Sequence, residues 1–420
     1  WLKILLPRRG PRPPGRAVRE AMAVGTRADK RGGRSAGWLA SCRRGLRVHS
    51  LVLLAGLAAA NENGDDSCWE GTMNEHNCCY PAPDGSAQCW DGVEYTYERC
   101  CPKLVLGRPG AASPEVAGLA ISPGSVKRLP LLGGGLGMPM VGMGLCCRPT
   151  ASGQAVRQGV LDWLLLGGRL LDDAQLYSNH REVGEGLRQA VALGVPRSEI
   201  FFATKMVPED FGFEHAGWWV DRALQEAQLD YIDLVLLHWA GSNDNSPCGS
   251  PRACRQETWM ALQRAKAAGK IRHLGVSNFG KRQMEELNAL GGAPIEVNQI
   301  EYHPWAPELH HDTAAWCHER GIAVTAYGSM GSAQMKDQMI TQKTLQDMGA
   351  QKGKSAGQVL LRWAIQKNVS VIPGTSNPKH MAENLRIFDF DLDAQELAML
   401  DQVPEEQRVL HFGHYPDQKP

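Results

Sequence analysis

Short apolar runs recur through the last two-thirds of this chain, and successive runs are separated by stretches of helical character. Arg169-Leu-Leu-Asp-Asp-Ala-Gln-Leu-Tyr177, Ile200-Phe-Phe-Ala-Thr-Lys205 and Tyr231-Ile-Asp-Leu-Val-Leu-Leu-His-Trp239 are the clearest. Apolar strands alternating with helices predict a parallel α/β sheet or barrel, in which reactive groups gather at the C-terminal strand ends. Asp172, Tyr177, Lys205 and His238 each stand at or just beyond the end of such a run. Singly, each has a plain structural reading: a strand-end cap, a loop aromatic, a solvated amine, a core histidine. Together, an acid, a phenol, an amine and an imidazole at one mouth make a proton-donating site.

Further strands are expected near 271–276, 294–299, 321–326 and 369–372, with helices over Asn179–Leu193, Glu214–Leu229, Glu257–Ala268 and Ser355–Gln366. The segments Leu274-Gly-Val-Ser-Asn-Phe279, Val297-Asn-Gln-Ile-Glu-Tyr-His-Pro304, Val324-Thr-Ala-Tyr327 and Ala382-Glu-Asn384 follow in order. With these motifs, residues from about 126 to 395 resemble an aldo-keto reductase. The resemblance implies a (β/α)8 TIM barrel of the α/β class over residues 126–410, and reduction of aldehydes and ketones with NADPH. Val126–Gly137 resembles the hairpin that plugs the barrel floor, and Met138–Gly144 the first strand.

The residue types fit that chemistry. Tyr177 is the expected general acid. A free phenol has a pKa of about 10, so proton transfer near neutrality benefits from a neighbouring cation. Lys205 is expected to supply it, Asp172 to hold Lys205 charged, and His238 to orient the substrate carbonyl. Trp239 resembles a wall of the substrate pocket. By the same resemblance Ser277, Asn278 and Gln299 bind the nicotinamide carboxamide, Tyr327 stacks on its ring, and Glu383 and Asn384 contact adenine. Amides suit a carboxamide because each offers a donor and an acceptor.

Four departures from the family pattern bear on specificity. In Val371-Ile-Pro-Gly-Thr-Ser-Asn-Pro-Lys-His380, Gly374 and His380 stand where the family commonly has Lys and Arg. Losing the bidentate arginine fork weakens the preference for a 2′-phosphate. Thr375, Ser376 and Asn377 still offer donors, so NADPH remains the expected cofactor and NADH the alternative. Leu145-Cys146 replaces a Thr-Trp pair, the segment 240–247 after Trp239 is short, and so is the tail beyond Leu392. An open pocket for small aldehydes or ketones is expected.

The N-terminal third has a different composition. Residues 1–50 carry thirteen Lys or Arg against Glu20 and Asp29, although the whole chain has a formal charge of zero. That overall balance implies no nucleic-acid partner. The chain begins with Trp1, which reads as a fragment, a processed form or an over-extended gene reading. Leu51-Val-Leu-Leu-Ala-Gly-Leu-Ala-Ala-Ala60 is too short for a membrane span, which needs about 20 apolar residues. Residues 1–60 therefore read as a secretory signal, with a transit peptide as the competing reading. In residues 61–102, Cys68, Cys78, Cys79, Cys89, Cys100 and Cys101 read as a small disulfide-rich module rather than a zinc site. Trp69, Trp90, Tyr95 and Tyr97 form its core or a contact for glycan or protein. Residues 103–125 read as a linker and 411–420 as a tail. Cys146, Cys147, Cys248, Cys254 and Cys317 read as reduced or buried thiols. The leader implies an organelle lumen or the secretory pathway; without it the cytoplasm is expected. The alternative function is a nucleotide-binding redox sensor, or a binding protein acting through the Cys-rich module.

Overall fold

The computed structural model describes residues 116, 118–122, 126–147, 150–241, 248–331, 337–404 and 407–408. The readings of the leader, the Cys-rich module and the tail lie outside these residues. Eight parallel strands form one sheet: β3 (Gly142–Gly144), β4 (Leu170–Asp172), β5 (Phe201–Met206), β6 (Ile232–Leu237), β7 (Ile271–Ser277), β8 (Val297–Glu301), β9 (Ala323–Tyr327) and β10 (Val369–Val371). Each pairs with the next in the chain, and a Val141–Val371 bridge closes the ends. The Val371 N–H donates to Met140 O at 2.9 Å across this seam. Gly144 makes the close approach feasible, since a Cβ there would lie 2.5 Å from Ile372 O. The architecture is a (β/α)8 barrel.

The strands explain their own composition. Every residue of β5 and of β6 is buried, because interior side chains cover one face and helices the other. The covering helices include α1 (Gly153–Leu165), α2 (His180–Ala192), α3 (Phe213–Ala227), α4 (Pro251–Ala267), α5 (Lys281–Asn288) and α6 (Glu308–Glu319). They continue with α7 (Lys343–Lys352), α8 (Ala356–Gln366), α9 (Pro378–Leu385) and α10 (Ala394–Asp401). Trp163, Trp259 and Trp363 are fully buried. No helix among the described residues is long and apolar enough to cross a membrane.

Four expectations need adjustment. The first strand divides: β2 (Met138–Pro139) pairs antiparallel with β1 (Arg128–Leu129) as the hairpin, and only Gly142–Gly144 enters the barrel ladder. Helix α4 starts at Pro251 rather than near Glu257, because Ser250 caps it by accepting the Ala253 N–H at 3.1 Å. Pro251 occupies the first turn, where its missing N–H costs nothing. The end of the presumed linker is docked on the barrel: Val116 is buried, and the Ile121 N–H donates to Leu166 O at 2.9 Å. Lastly, two of the five barrel-region cysteines stand within reach of each other rather than scattered. Cys248 and Cys254 lie with their Cα atoms 5.1 Å apart, within the span of a disulfide. Cys317 is free and buried, which pushes its thiol up to about 12.

Candidate active site

Strand register brings the reactive residues together. Asp172 pairs with Ala203, and Lys205 lies two residues further along β5 on the same face. The Lys205 ammonium, fully buried, donates to Asp172 Oδ2 at 2.7 Å, to Asp173 O at 2.9 Å and to the Tyr177 hydroxyl at 3.2 Å. Tyr177 ends a 3-10 turn, Gln175–Tyr177, closed by Ser178 in the left-handed region at φ 54°. Gln175 ties that turn to the next loop by accepting the Val207 N–H at 3.1 Å, and it also bonds Asp210. His238 follows β6, its N–H on Met206 O at 3.0 Å. Its ring meets Tyr177 edge-on with centroids 6.1 Å apart, and Trp239 stacks on it at 3.9 Å.

The electrostatics favour a protonated phenol and a charged amine. Burial pushes the Tyr177 hydroxyl up and Asp172 adds to that, while Lys205 pulls the other way without reversing it. For Lys205 burial alone lowers the ammonium, but the adjoining Asp172 and Tyr177 outweigh it and hold the amine above its ordinary value.

The residues expected at the nicotinamide occupy the adjacent mouth of β7, β8 and β9. Ser277 and Gln299 are register partners, and both are buried. Asn278 adopts φ 60°, a left-handed conformation that Asn tolerates better than most residues. Its amide donates to His238 O at 3.0 Å and accepts from the Tyr327 hydroxyl at 2.7 Å. Gln299 donates to Asp172 Oδ1 at 2.7 Å from across the barrel. This bond joins the amide cluster to the Asp172–Lys205–Tyr177 chain as one constellation.

Thr375, Ser376 and Asn377 sit apart, in the loop after β10. The Thr375 hydroxyl accepts the Asn377 N–H at 3.1 Å, and Asn377 Oδ1 caps α9 through the Lys379 N–H at 2.9 Å. Thr150 donates to the Ser376 hydroxyl at 3.1 Å, linking this loop to the one after β3. Glu383 is exposed on α9 and Asn384 beside it is buried; Gly374 and His380 are both exposed.

Several supporting residues escaped the sequence reading. Asn179 holds Leu145 O and Ala151 O at 3.1 and 2.9 Å. The buried Arg255 donates to Ala240 O at 3.2 Å and pairs with Glu286 at 2.7 Å, anchoring the chain just after His238 and Trp239. An arginine in a helical pattern gives no hint that it is buried. Asp173 contributes through a main-chain carbonyl, which no residue type reveals.

Comparison with known proteins agrees with this fold. The chain matches the Aldo/keto reductase family over residues 149–405, more than half its length. It is 33% identical over 298 residues to glyoxal reductase of Bacillus subtilis, covering 70% of this chain and 99% of that protein. To morphine 6-dehydrogenase of Pseudomonas putida it is 33% identical over 290 residues, covering 66% and 92%. Among solved structures, an aldo-keto reductase from a deep-sea metagenome library of the Medee basin superposes with a TM-score of 0.60 at 27% identity, covering 68% and 97%. By its barrel, its ordered motifs and these relatives, the chain belongs to the aldo/keto reductase family.

Proposed function

We propose that this protein reduces an aldehyde or ketone to an alcohol with a nicotinamide nucleotide, NADPH in preference to NADH, and that Tyr177 is the proton donor. One observation carries the reading: Lys205 Nζ lies between Asp172 Oδ2 and the Tyr177 hydroxyl, at 2.7 and 3.2 Å. Negative charge develops on the carbonyl oxygen during reduction, and an acid placed to neutralise it contributes about 10²–10⁴-fold. Tyr177 remains protonated at neutral pH because burial disfavours the phenolate. Lys205 stabilises the phenolate left after proton transfer, and Asp172 keeps Lys205 charged. His238 orients the carbonyl by a hydrogen bond, and Trp239 walls the pocket.

The residues present fit a nicotinamide. Ser277, Asn278 and Gln299 offer donors and acceptors for a carboxamide, and the Gln299–Asp172 bond supports reading them as part of the same site as the proposed proton donor. Tyr327 is held by Asn278 at the same mouth. Thr375, Ser376, Asn377, Glu383 and Asn384 are the proposed adenosine-end contacts. When bound, the nucleotide supplies the hydride. The names of the glyoxal reductase and morphine dehydrogenase relatives support small carbonyl and alcohol substrates.

The test is oxidation of NADPH and NADH by the purified chain with a reactive aromatic aldehyde. The expected result is turnover that falls about 10²–10⁴-fold in Tyr177→Phe, while nucleotide still quenches tryptophan fluorescence in the variant. A parent protein that binds nucleotide but turns over no aldehyde would transfer the weight to a nucleotide-sensing role.

A further inference from the structure

Packing does not hold the turn that carries the proposed acid. None of the three residues of the 3-10 turn Gln175–Tyr177 is buried, and Leu176 is 59% exposed. Two main-chain bonds close the turn, from the Tyr177 N–H to Ala174 O at 3.0 Å and from the Ser178 N–H to Gln175 O at 3.2 Å. Both stay within residues 174–178, so they shape the turn without placing it. Placement comes from side chains that leave it. Asn179 reaches Leu145 O and Ala151 O, beyond the end of β3. Gln175 reaches the other way: its Oε1 accepts the Val207 N–H at 3.1 Å, and its Nε2 donates to Asp210 Oδ2.

Gln175 therefore spans two neighbouring strand ends. Val207 directly follows Met206, the last residue of β5, and Met206 O accepts the His238 N–H at 3.0 Å. One side chain thus joins the turn of Tyr177 to the strand of Lys205 and, one bond further, to His238. The partners also dictate the residue type. A backbone N–H only donates and a carboxylate only accepts, so the bridge needs one acceptor and one donor on the same group. An amide has both. A carboxylate in its place would keep the Val207 bond and face Asp210 with like charge. A hydrocarbon would make neither bond.

We propose that Gln175 is a positioning residue for the reaction, holding the Tyr177 hydroxyl within its 3.2 Å reach of Lys205 Nζ. The inference rests on the reading of Tyr177 as the acid. The Lys205–Tyr177 bond is at the long end of the ordinary range, so a small outward shift of the turn breaks it. Misplacing a catalytic group by about 1 Å can cost on the order of 10²-fold in rate. Ser277, Asn278 and Gln299, proposed for the nucleotide, are held by β7, β8 and Asp172 rather than by this bridge. Nucleotide binding therefore does not depend on it.

The test reverses the polarity of the bridge in the full chain. Gln175→Glu keeps an acceptor for the Val207 N–H and sets a second carboxylate against Asp210. Adding Asp210→Asn puts a donor opposite that carboxylate and restores both bonds with the roles exchanged; Asp210→Asn alone is the reference for the second change. Gln175→Glu is expected to lower kcat for a reactive aromatic aldehyde roughly 10–100-fold, while NADPH quenches tryptophan fluorescence with the affinity of the parent. The double variant is expected to recover most of the lost kcat. Crystal structures of the parent and of Gln175→Glu give the separation of Lys205 Nζ and the Tyr177 hydroxyl directly, and it should lengthen in the variant. A kcat that survives Gln175→Glu, a loss that the double variant does not recover, or a nucleotide affinity that falls in step with kcat marks a general packing role and overturns the proposal. If no protein, the parent included, reduces the aldehyde, the reductase reading fails by itself. The crystal distance then still decides the bridge, and an unmoved hydroxyl overturns it.

Discussion

At the upper mouth of the barrel Lys205 is completely buried against Asp172, and at the lower mouth Lys266, a quarter exposed, reaches the buried Glu296. The partners differ in kind. Glu296 is surrounded by donors: His273 Nδ1 at 2.7 Å, Lys266 at 3.1 Å, and the N–H groups of Gly133 and Leu274 at 2.8 and 3.3 Å. Gly133 belongs to the hairpin, so this carboxylate ties the plug to the barrel floor, and its charge is spent on structure. At the upper mouth Gln299 and Lys205 satisfy the two Asp172 oxygens, and the lysine passes the chain on to a partly exposed phenol. A buried ion pair becomes chemically useful when its last member is an ionisable group that still faces the solvent side.

The largest break in this comparison is expected from Lys205→Met. Asp172 would keep Gln299 but lose its cation, and breaking one side of a buried pair costs about 3–5 kcal/mol. Turnover should fall at least as far as in Tyr177→Phe, because the phenolate also loses its cation. Denaturant unfolding and aldehyde turnover measure the two effects separately. A variant as stable as the parent would mean that the pair is not load-sharing in the way its burial implies.

Glu296→Gln sharpens the contrast from the other side. Turnover should persist while stability falls by about 1–3 kcal/mol near neutral pH, the usual cost of removing a charged buried acceptor. Burial alone would raise this carboxyl, but the His273 and Lys266 contacts outweigh it and hold it below its ordinary value. The stability it contributes is therefore present above the unfolded value, about 4.3, and disappears as pH falls through the lower folded value. The parent and the variant should converge in stability at pH values below the depressed folded value. A gap that persists there would assign the cost to shape rather than charge.

The upper constellation was legible in the sequence because its members end apolar runs that can only be buried strands. Asp172, Lys205 and His238 are placed by strand register, and the period of two is rigid enough to carry over into three dimensions. The 3-10 turn that presents Tyr177 was not legible, since it depends on Ser178 in a left-handed conformation and on the Gln175 contact to Val207. Nor was the Gln299–Asp172 bond, which joins residues 127 positions apart and exists only because the barrel closes. The start of α4 lies ahead of the helical pattern because Pro251 fits its first turn and Ser250 caps it, neither of which periodicity registers. The approach of Cys248 to Cys254 follows from loop geometry: the Ser250 cap turns the chain so that the Cys248 N–H donates to Cys254 Sγ at 3.2 Å.

The same contrast between buried and exposed groups divides the upper mouth itself. On the proposed nicotinamide side, Ser277, Asn278 and Gln299 are buried and held by one another and by their neighbours, so the proposed recognition would be rigid. On the proposed adenosine side, Gly374, Ser376, Asn377 and His380 are all exposed, and Asn377 is committed to capping α9. If this loop meets a 2′-phosphate, as proposed, discrimination would depend on charges in solvent, where each pair is worth about 1 kcal/mol or less. Gly374→Lys is the smallest perturbation that tests this. Gly374 does not occupy the left-handed region among the described glycines, so a side chain meets no backbone penalty. The kcat/KM ratio for NADPH over NADH should rise by roughly fivefold, as about 1 kcal/mol implies. Raising the ionic strength should erase most of that gain, because an exposed pair is screened within a Debye length of about 8–10 Å. A ratio that rises and then survives high salt would show that the added lysine is desolvated, and that this rim is built like the nicotinamide side after all.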